Sequence, residues 1–330
     1  MGFPGVRPLI PLLSNGLADP WAATRDENLL DVLCVGHASY DLIFSVPRHP
    51  DPDEKIFADG FIACGGGPAA NAAVTVARLG LKSAFAGYLG MDLYGEKHWH
   101  ELTDEGVYTR FIARGQYATP ISVVLVKPDG KRSLVNYKGE TRHTPAASID
   151  FSNVASKVIL FDGHEPLLSA PLAQQARACG IATVLDAGSL HGGTQALLGR
   201  VDYLVCSEKF ARQFLGRQDE ADALAGLADY APAVVITLGE RGLVWKKDGE
   251  QGTLPVFPVT AVDTTGAGDA FHGAFAAALA AGKEWLDVLL YASAAGALCC
   301  TKMGARPGIP SGEQMRTFLN RHRDWQVSAE

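Results

Sequence analysis

Six short runs of this chain, 32–35, 83–87, 158–161, 182–185, 203–205 and 234–237, are apolar almost throughout and leave no polar face for water. Strands of that kind are covered on both sides, which is the condition of a parallel sheet held between layers of helix. Helical patterns lie between the runs, at 69–79, 94–105, 172–179 and 207–215, and in the first of them Ala72, Val76 and Leu79 recur on one face. The alternation predicts an α/β fold with a doubly wound, mostly parallel sheet and helices on both faces. The apolar stretches 270–282 and 286–300 read as buried helices, since neither supplies the roughly 18 uninterrupted apolar residues that a bilayer span takes.

Two pieces escape that alternation. Residues 42–62 are broken by Pro47, Pro50 and Pro52, and 121–126 alternates against 133–137 across the turn Pro128-Asp129-Gly130, the pattern of an antiparallel hairpin. They predict a small β-sheet built from 42–63 and 118–141. Beside the C-terminal ends of the parallel strands, where open α/β sheets bind ligands, such a sheet would act as a lid. A chain of 330 residues accommodates one large α/β domain with this insertion, expected over 31–320. Residues 1–30 read as a flexible leader: Pro4, Pro8, Pro11 and Pro20 break any helix, and the apolar run 9–13 is too short for a signal peptide. Residues 321–330 are expected to form a C-terminal tail.

Charge decides which partners to exclude. The formal balance is −7, which disfavours a general attraction for nucleic acid or an anionic membrane, so any anionic ligand must be held locally. Six cysteines are scattered without a Cys-x-x-Cys pair, which indicates neither a disulfide framework nor a zinc site and fits a reducing cytoplasm. His98 and His100 stand two apart on one expected helix, hence on different faces, and do not make a metal pair.

Cys64-Gly65-Gly66-Gly67-Pro68-Ala69-Ala70-Asn71 opens the first expected helix. Its glycines leave the backbone bare for a ligand, Pro68 suits a first helical turn, and Asn71 can bond a hydroxyl. Gly65, Gly67 and Ala70 also satisfy the dinucleotide pattern G-x-G-x-x-A. That fingerprint, however, belongs after the first buried strand, 32–35, and here a proline-broken strand precedes it.

The stretch Asp263-Thr264-Thr265-Gly266-Ala267-Gly268-Asp269 carries the most chemistry. Gly266 and Gly268 permit a turn whose amides point one way, and the alanine-rich helix that follows presents its positive dipole end to the same spot. Asp269 stands at the mouth of this anion hole as an ionisable carboxylate able to accept a proton. Helix capping would explain one aspartate, but not the two glycines and Asp263 with it.

With these two motifs the sequence resembles the ribokinase-like (PfkB) family of carbohydrate kinases, and the flanking pattern extends that resemblance over nearly the whole chain after the leader. The resemblance implies an ATP-dependent sugar kinase with Mg²⁺ and, at a monovalent-cation site, K⁺. It implies that Asp269 takes the proton from the sugar hydroxyl while the amides of Gly266, Ala267 and Gly268 stabilise the γ-phosphoryl group. Asp41, Gly66, Gly67 and Asn71 would hold the sugar, with Asn136 and Glu165 counted in the same set. Ser207, Thr237, Gly239, Gly242 and Ser293 would meet the nucleotide. Asp263 and Thr265, with Gly304 and Gly308, resemble the cation site. Family members also form homodimers through the lid, which makes a homodimer the expectation here.

Departures narrow the reading. Ser207-Glu208-Lys209-Phe210 stands where many relatives have Asn-x-x-Glu, leaving the metal to the ATP phosphates, waters and Glu208. Pro68 replaces the lysine of ribose kinases. In motif detail the chain is most similar to ketohexokinase-like and sulfofructose kinases, which points to a ketose. Glu165 in turn would repel a sulfonate and suit neutral hydroxyls. The alternatives are an adenosine-like nucleoside kinase, for which Phe44 and Tyr137 would be pocket walls, and a catalytically silent sugar or nucleotide sensor.

Overall fold

The structure, a computed structural model, describes residues 29–151, 154–216, 219–322 and 328–329. Of the expected leader, 1–28 lie outside the described residues, and Leu29 and Leu30 already belong to the first strand. In chain order come β1 (Leu29–Val35), β2 (Ser39–Ser45), β3 (Gly60–Gly66), α1 (Pro68–Arg78), β4 (Ser83–Gly90), α2 (Leu93–Asp104), β5 (Tyr108–Gly115), β6 (Ile121–Val126) and β7 (Arg132–Tyr137). The second half continues with β8 (Ala155–Phe161), α3 (Pro166–Cys179), β9 (Ala182–Ala187), α4 (Gly192–Leu197), β10 (Tyr203–Ser207), α5 (Glu208–Leu215), α6 (Glu220–Leu227) and β11 (Ala233–Thr237). It closes with β12 (Leu243–Lys247), β13 (Glu250–Leu254), α7 (Ala267–Ala280), α8 (Trp285–Cys299), α9 (Ala305–Gly308), α10 (Gly312–Arg321) and β14 (Ser328–Ala329).

The large sheet has the order β14-β13-β12-β11-β10-β9-β8-β1-β4-β5. The six apolar runs are its consecutive strands β11, β10, β9, β8, β1 and β4, all parallel. Alternate residues of one strand feed different cores. Leu33 and Val35 pack with Leu172 and Phe210 of one helical layer, whereas Val32 and Cys34 pack with Ala72, Val76 and Phe275 of the other. That division is why these strands lack a polar face. The parallel edge strand β5 carries no such run, because an edge is covered less completely; in it only Phe111 is buried.

The small sheet has the order β3-β2-β6-β7, and β6 and β7 form the expected hairpin, with Val126 opposite Arg132. Gly130 turns it at φ 73°, its amide donating to Lys127 O at 2.9 Å. Ile43, Cys64, Val124 and Val126 form its own core against the main domain. One helix differs from expectation: α3 begins at Pro166 rather than 172, because Pro166 fits the first turn and the exposed Pro171 is tolerated within it.

Candidate active site

A cavity of about 260 Å³ opens between the inner face of the small sheet and the starts of α1 and α7. It brings together Asp41, Gly67, Asn71, Asn136, Gly266 and Asp269, and Thr265 reaches its edge. Residues far apart in sequence converge here because the C-terminal ends of parallel strands and the N-termini of their helices share one rim of the sheet.

The start of α7 is shaped by glycine. Gly266 caps the helix at φ 77°, and a Cβ there would collide with Ala305. Gly268 differs: its φ is not in the left-handed region, and a Cβ on it would meet nothing within 4 Å. Among the described residues the amides of Gly266 and Gly268 have no protein acceptor, while that of Ala267 donates to Thr264 O at 3.3 Å. Of the expected trio, Gly266 and Gly268 thus carry unengaged amides, and Ala267 a long bond to Thr264 O.

Asp269 lies in the first turn of α7, and its Oδ2 accepts from Asn71 Nδ2 at 2.7 Å. Burial pushes its carboxyl above the ordinary range, and the Asn71 amide, His272 and Arg132 pull it partly back. Asp41, buried on β2, accepts from Ser39 Oγ at 2.8 Å. Burial raises its carboxyl as well, against the hydroxyls of Ser39 and Ser122. Gly66 exists to admit this side chain, since a Cβ at 66 would overlap the Asp41 carboxylate. Gly67 turns the chain at φ 94°, with its α-carbon face pressed on His37 O.

Glu165 does not join the sugar-side set. It stands just before α3, and its Oε2 accepts from the Thr144 amide at 2.6 Å in a site so dry that the carboxyl is pushed up to about 7. His164 and the lid residue Lys138 line the cavity instead, which removes the expected repulsion of an anionic substituent. Three further residues went unnoticed in the sequence. Asp162, directly after β8, accepts from the amides of His37 (2.7 Å), His164 (2.8 Å) and Ala69 (3.1 Å), so it ties β1 to the start of α1. Its position after a buried strand was the available signal. Arg132 of the lid donates to Thr264 Oγ1 at 2.6 Å, and its buried Nε has no partner. Asp186, held up to about 7 by burial, pairs with His272 at 3.2 Å one helical turn from Asp269.

None of the expected nucleotide residues lines this cavity. Ser207 and Thr237 are register partners on β10 and β11. The Ser207 hydroxyl is already committed, capping α5 at Phe210 N (3.0 Å) and donating to Gly188 O (2.8 Å). Gly239 and Gly242 both take positive φ, and a Cβ on Gly242 would strike Leu254 O. Ser293 is half-buried on α8, one turn before Gly296, which packs on Ala267.

Glu208 is engaged by Arg212 and Arg241, and among the described residues no group of three His, Cys, Asp or Glu could hold a metal ion. Asp263 is fully buried and well supplied with donors: Oδ1 accepts from Thr265 N (2.9 Å) and Oγ1 (2.7 Å), Oδ2 from Gly304 N (2.8 Å). Asp263 thereby holds the 263–265 loop to the loop at Gly304. Gly308 leaves room for Cys299 O.

An aspartate at a glycine-capped helix start, facing a polar cavity under a β lid, defines a site for activating an alcohol beside an anion. The pfkB family carbohydrate kinase model matches residues 29–312. A ribokinase of Haemophilus influenzae is 30% identical over 296 residues, 86% of this chain and 97% of that protein. A fructokinase of Solanum tuberosum is 30% identical over 286 residues, 79% of this chain and 88% of that protein. The structure of Arabidopsis thaliana ribokinase complexed with ribose and ATP superposes with a TM-score of 0.76 at 26% identity, covering 88% of this chain and 99% of that one. The chain belongs to the pfkB family of carbohydrate kinases and has the ribokinase-like fold. It is a phosphotransferase with an alcohol group as acceptor, a sugar kinase of the ribokinase and fructokinase type.

Proposed function

We propose that the protein transfers the γ-phosphoryl group of ATP to a hydroxyl of a small carbohydrate, a ketose, with Asp269 as general base. The observation that carries this reading is the placement of Asp269: one carboxylate oxygen is held by Asn71, and the cavity it faces is shared with Asp41 and the Gly266 turn. Asp41 and Asn136 fix sugar hydroxyls; Asp269 removes the proton from the reacting one. The new O–P bond forms as the bond to the β,γ-bridging oxygen breaks, and ADP leaves. The Gly266 and Gly268 amides and the dipole of α7 stabilise the charge on the phosphoryl oxygens. Arg132, reaching from the lid with an unpartnered Nε, adds a cation once the lid is down. Mg²⁺ would arrive on the ATP phosphates and neutralise part of their charge, and a K⁺ site would rest on main-chain carbonyls of the 263–265 and 304–308 loops.

ADP release measured with fructose, tagatose, ribose, sulfofructose, 2-keto-3-deoxygluconate and adenosine tests the reading. Fructose or tagatose as the best acceptor supports it, and turnover with none leaves a silent binding protein. A second reading, an acceptor bearing an anionic group, is favoured by Lys138 and His164 at the cavity end that Glu165 was expected to occupy. Preference for the sulfonate or carboxylate sugar would select it, and preference for adenosine would select a nucleoside kinase; of its two expected walls Tyr137 lines the cavity, whereas Phe44 packs on Phe61 and is absent from the lining. For assembly, the proposal is a homodimer through the lid, whose Phe61 and Val135 are 57% and 68% exposed. The six free cysteines support a cytoplasmic location.

A further inference from the structure

Arg306, in the short helix α9, is 3% exposed. A buried cation is costly unless acceptors surround it. Nε donates to Asn71 Oδ1 at 3.3 Å and Nη2 to His98 Nε2 at 3.2 Å, while Nη1, without a hydrogen bond among the described residues, forms an ion pair with Glu101 Oε1 at 3.2 Å. The main chain is pinned too, since Arg78 Nη1 donates to Arg306 O at 2.6 Å. Gly65 leaves the space: a Cβ there would collide with the His98 ring and stand 3.0 Å from Arg306 Nη2.

An asparagine amide has a donor and an acceptor side of nearly equal shape, so sterics alone do not fix which way it points. A guanidinium has only donors. With Arg306 at Oδ1, the Nδ2 of Asn71 is left to face Asp269, and it meets Oδ2 at 2.7 Å. The flipped amide would set Oδ1 against the carboxylate and Nδ2 against the guanidinium, two repulsive contacts. We infer that Arg306 is a positioning residue for the base: it locks the Asn71 amide in the orientation that occupies Asp269 Oδ2 and leaves Oδ1 to receive the acceptor's proton. The catalytic consequence rests on Asp269 being the base. The orientation is a property of the free protein and is testable without turnover.

The test follows the ¹³C signal of the Asp269 carboxyl against pH in the free protein, with Asp269→Asn giving its assignment. Wild type, Arg306→Met, Asn71→Ala and the double variant form a cycle, each checked for folding by circular dichroism. Asn71 lowers the Asp269 titration, so Asn71→Ala moves the midpoint up. Arg306→Met moves it the same way, and adding it to Asn71→Ala moves it no further. His272, Arg132, Asp162, Asp41 and Asp186, the other charged groups around Asp269, are kept throughout. An equal upward shift in the Asn71→Ala background means that Arg306 acts by its field alone; no shift in either background means that the amide holds its orientation unaided. Either result overturns the proposal. If Arg306→Met does not fold, Arg306→Gln takes its place, since glutamine is itself two-faced and imposes no direction. In turnover, loss of this charge-assisted bond lowers kcat about ten-fold, with the KM for ATP unchanged, and Arg306→Lys restores part of it. Failure of the wild type on every acceptor would remove the kinase reading while the titration cycle still decides the role of Arg306.

Discussion

The Asn71 amide and the Asp269 carboxylate, 198 positions apart in the chain, meet at 2.7 Å. This contact joins the two motifs that the sequence keeps separate. If Asp269 is the base, Asp269→Asn lowers kcat by roughly 10²-fold or more, the size of a single general-base effect. Asn71→Ala, which removes only a supporting donor, costs about ten-fold. Steady-state ADP release with the best acceptor measures both, and near-normal turnover in Asp269→Asn would take the base assignment away.

The same contact bears on pH. Burial raises the Asp269 carboxyl, with Asn71, His272 and Arg132 opposing. Only the ionised form accepts a proton, so kcat/KM falls as pH drops through this raised midpoint, and the acid limb lies above the ordinary carboxylate range. The limb is recorded at saturating ATP. An acid limb at the value of a solvated aspartate would show that the site is wetter than its walls suggest.

Much of this architecture was legible, for identifiable reasons. Val32 to Val35 and its five counterparts announced buried parallel strands because strands covered on both sides must be apolar at every position. The lid was legible because Pro47, Pro50 and Pro52 cannot sit in a central ladder. Asp269 and Asn71 were visible because glycine-rich runs precede them, whereas Asp41 entered only through the family resemblance. What stayed hidden depended on three-dimensional partners. Nothing near Glu165 in the sequence announces that its carboxylate turns to the Thr144 amide, and Arg306 looks like one more basic residue until α2 supplies His98 and Glu101. Ser207 and Asp263 have the residue types expected of ligands, and only the structure shows that they also bond the protein itself, at Gly188 O and at the Thr265 and Gly304 amides.

Two glycines two residues apart, Gly266 and Gly268, behave differently on substitution. Gly266→Ala forces a side chain into φ 77° and against Ala305, which should cost on the order of 2 to 4 kcal/mol. Gly268→Ala places a methyl in open space within a helical turn and should be neutral, or stabilising by up to about 1 kcal/mol. Urea unfolding separates them. If the open space beside Gly268 receives the terminal phosphate, Gly268→Ala raises the KM for ATP despite its intact fold. A stable Gly266→Ala variant would refute the steric account of the turn.

Glu165 offers a test of the protein's dry interior that does not involve catalysis. Its carboxyl is displaced from 4.5 to about 7, chiefly by burial, with the Thr144 amide opposing. Because the folded value is raised, the protonated carboxyl is the form the fold favours: the associated stability is present in full below about pH 4.5 and is lost as pH rises through 7. A displacement of that size corresponds to on the order of 3 kcal/mol, and at 7% exposure little of it is screened by solvent. Glu165→Gln keeps an acceptor for Thr144 and does not titrate. Relative to wild type, the glutamine variant should therefore gain stability steadily between pH 5 and pH 8, where urea unfolding midpoints of the two proteins are compared. Parallel curves would mean that the carboxylate is ionised throughout this range, and that water reaches Glu165 beside the Thr144 amide.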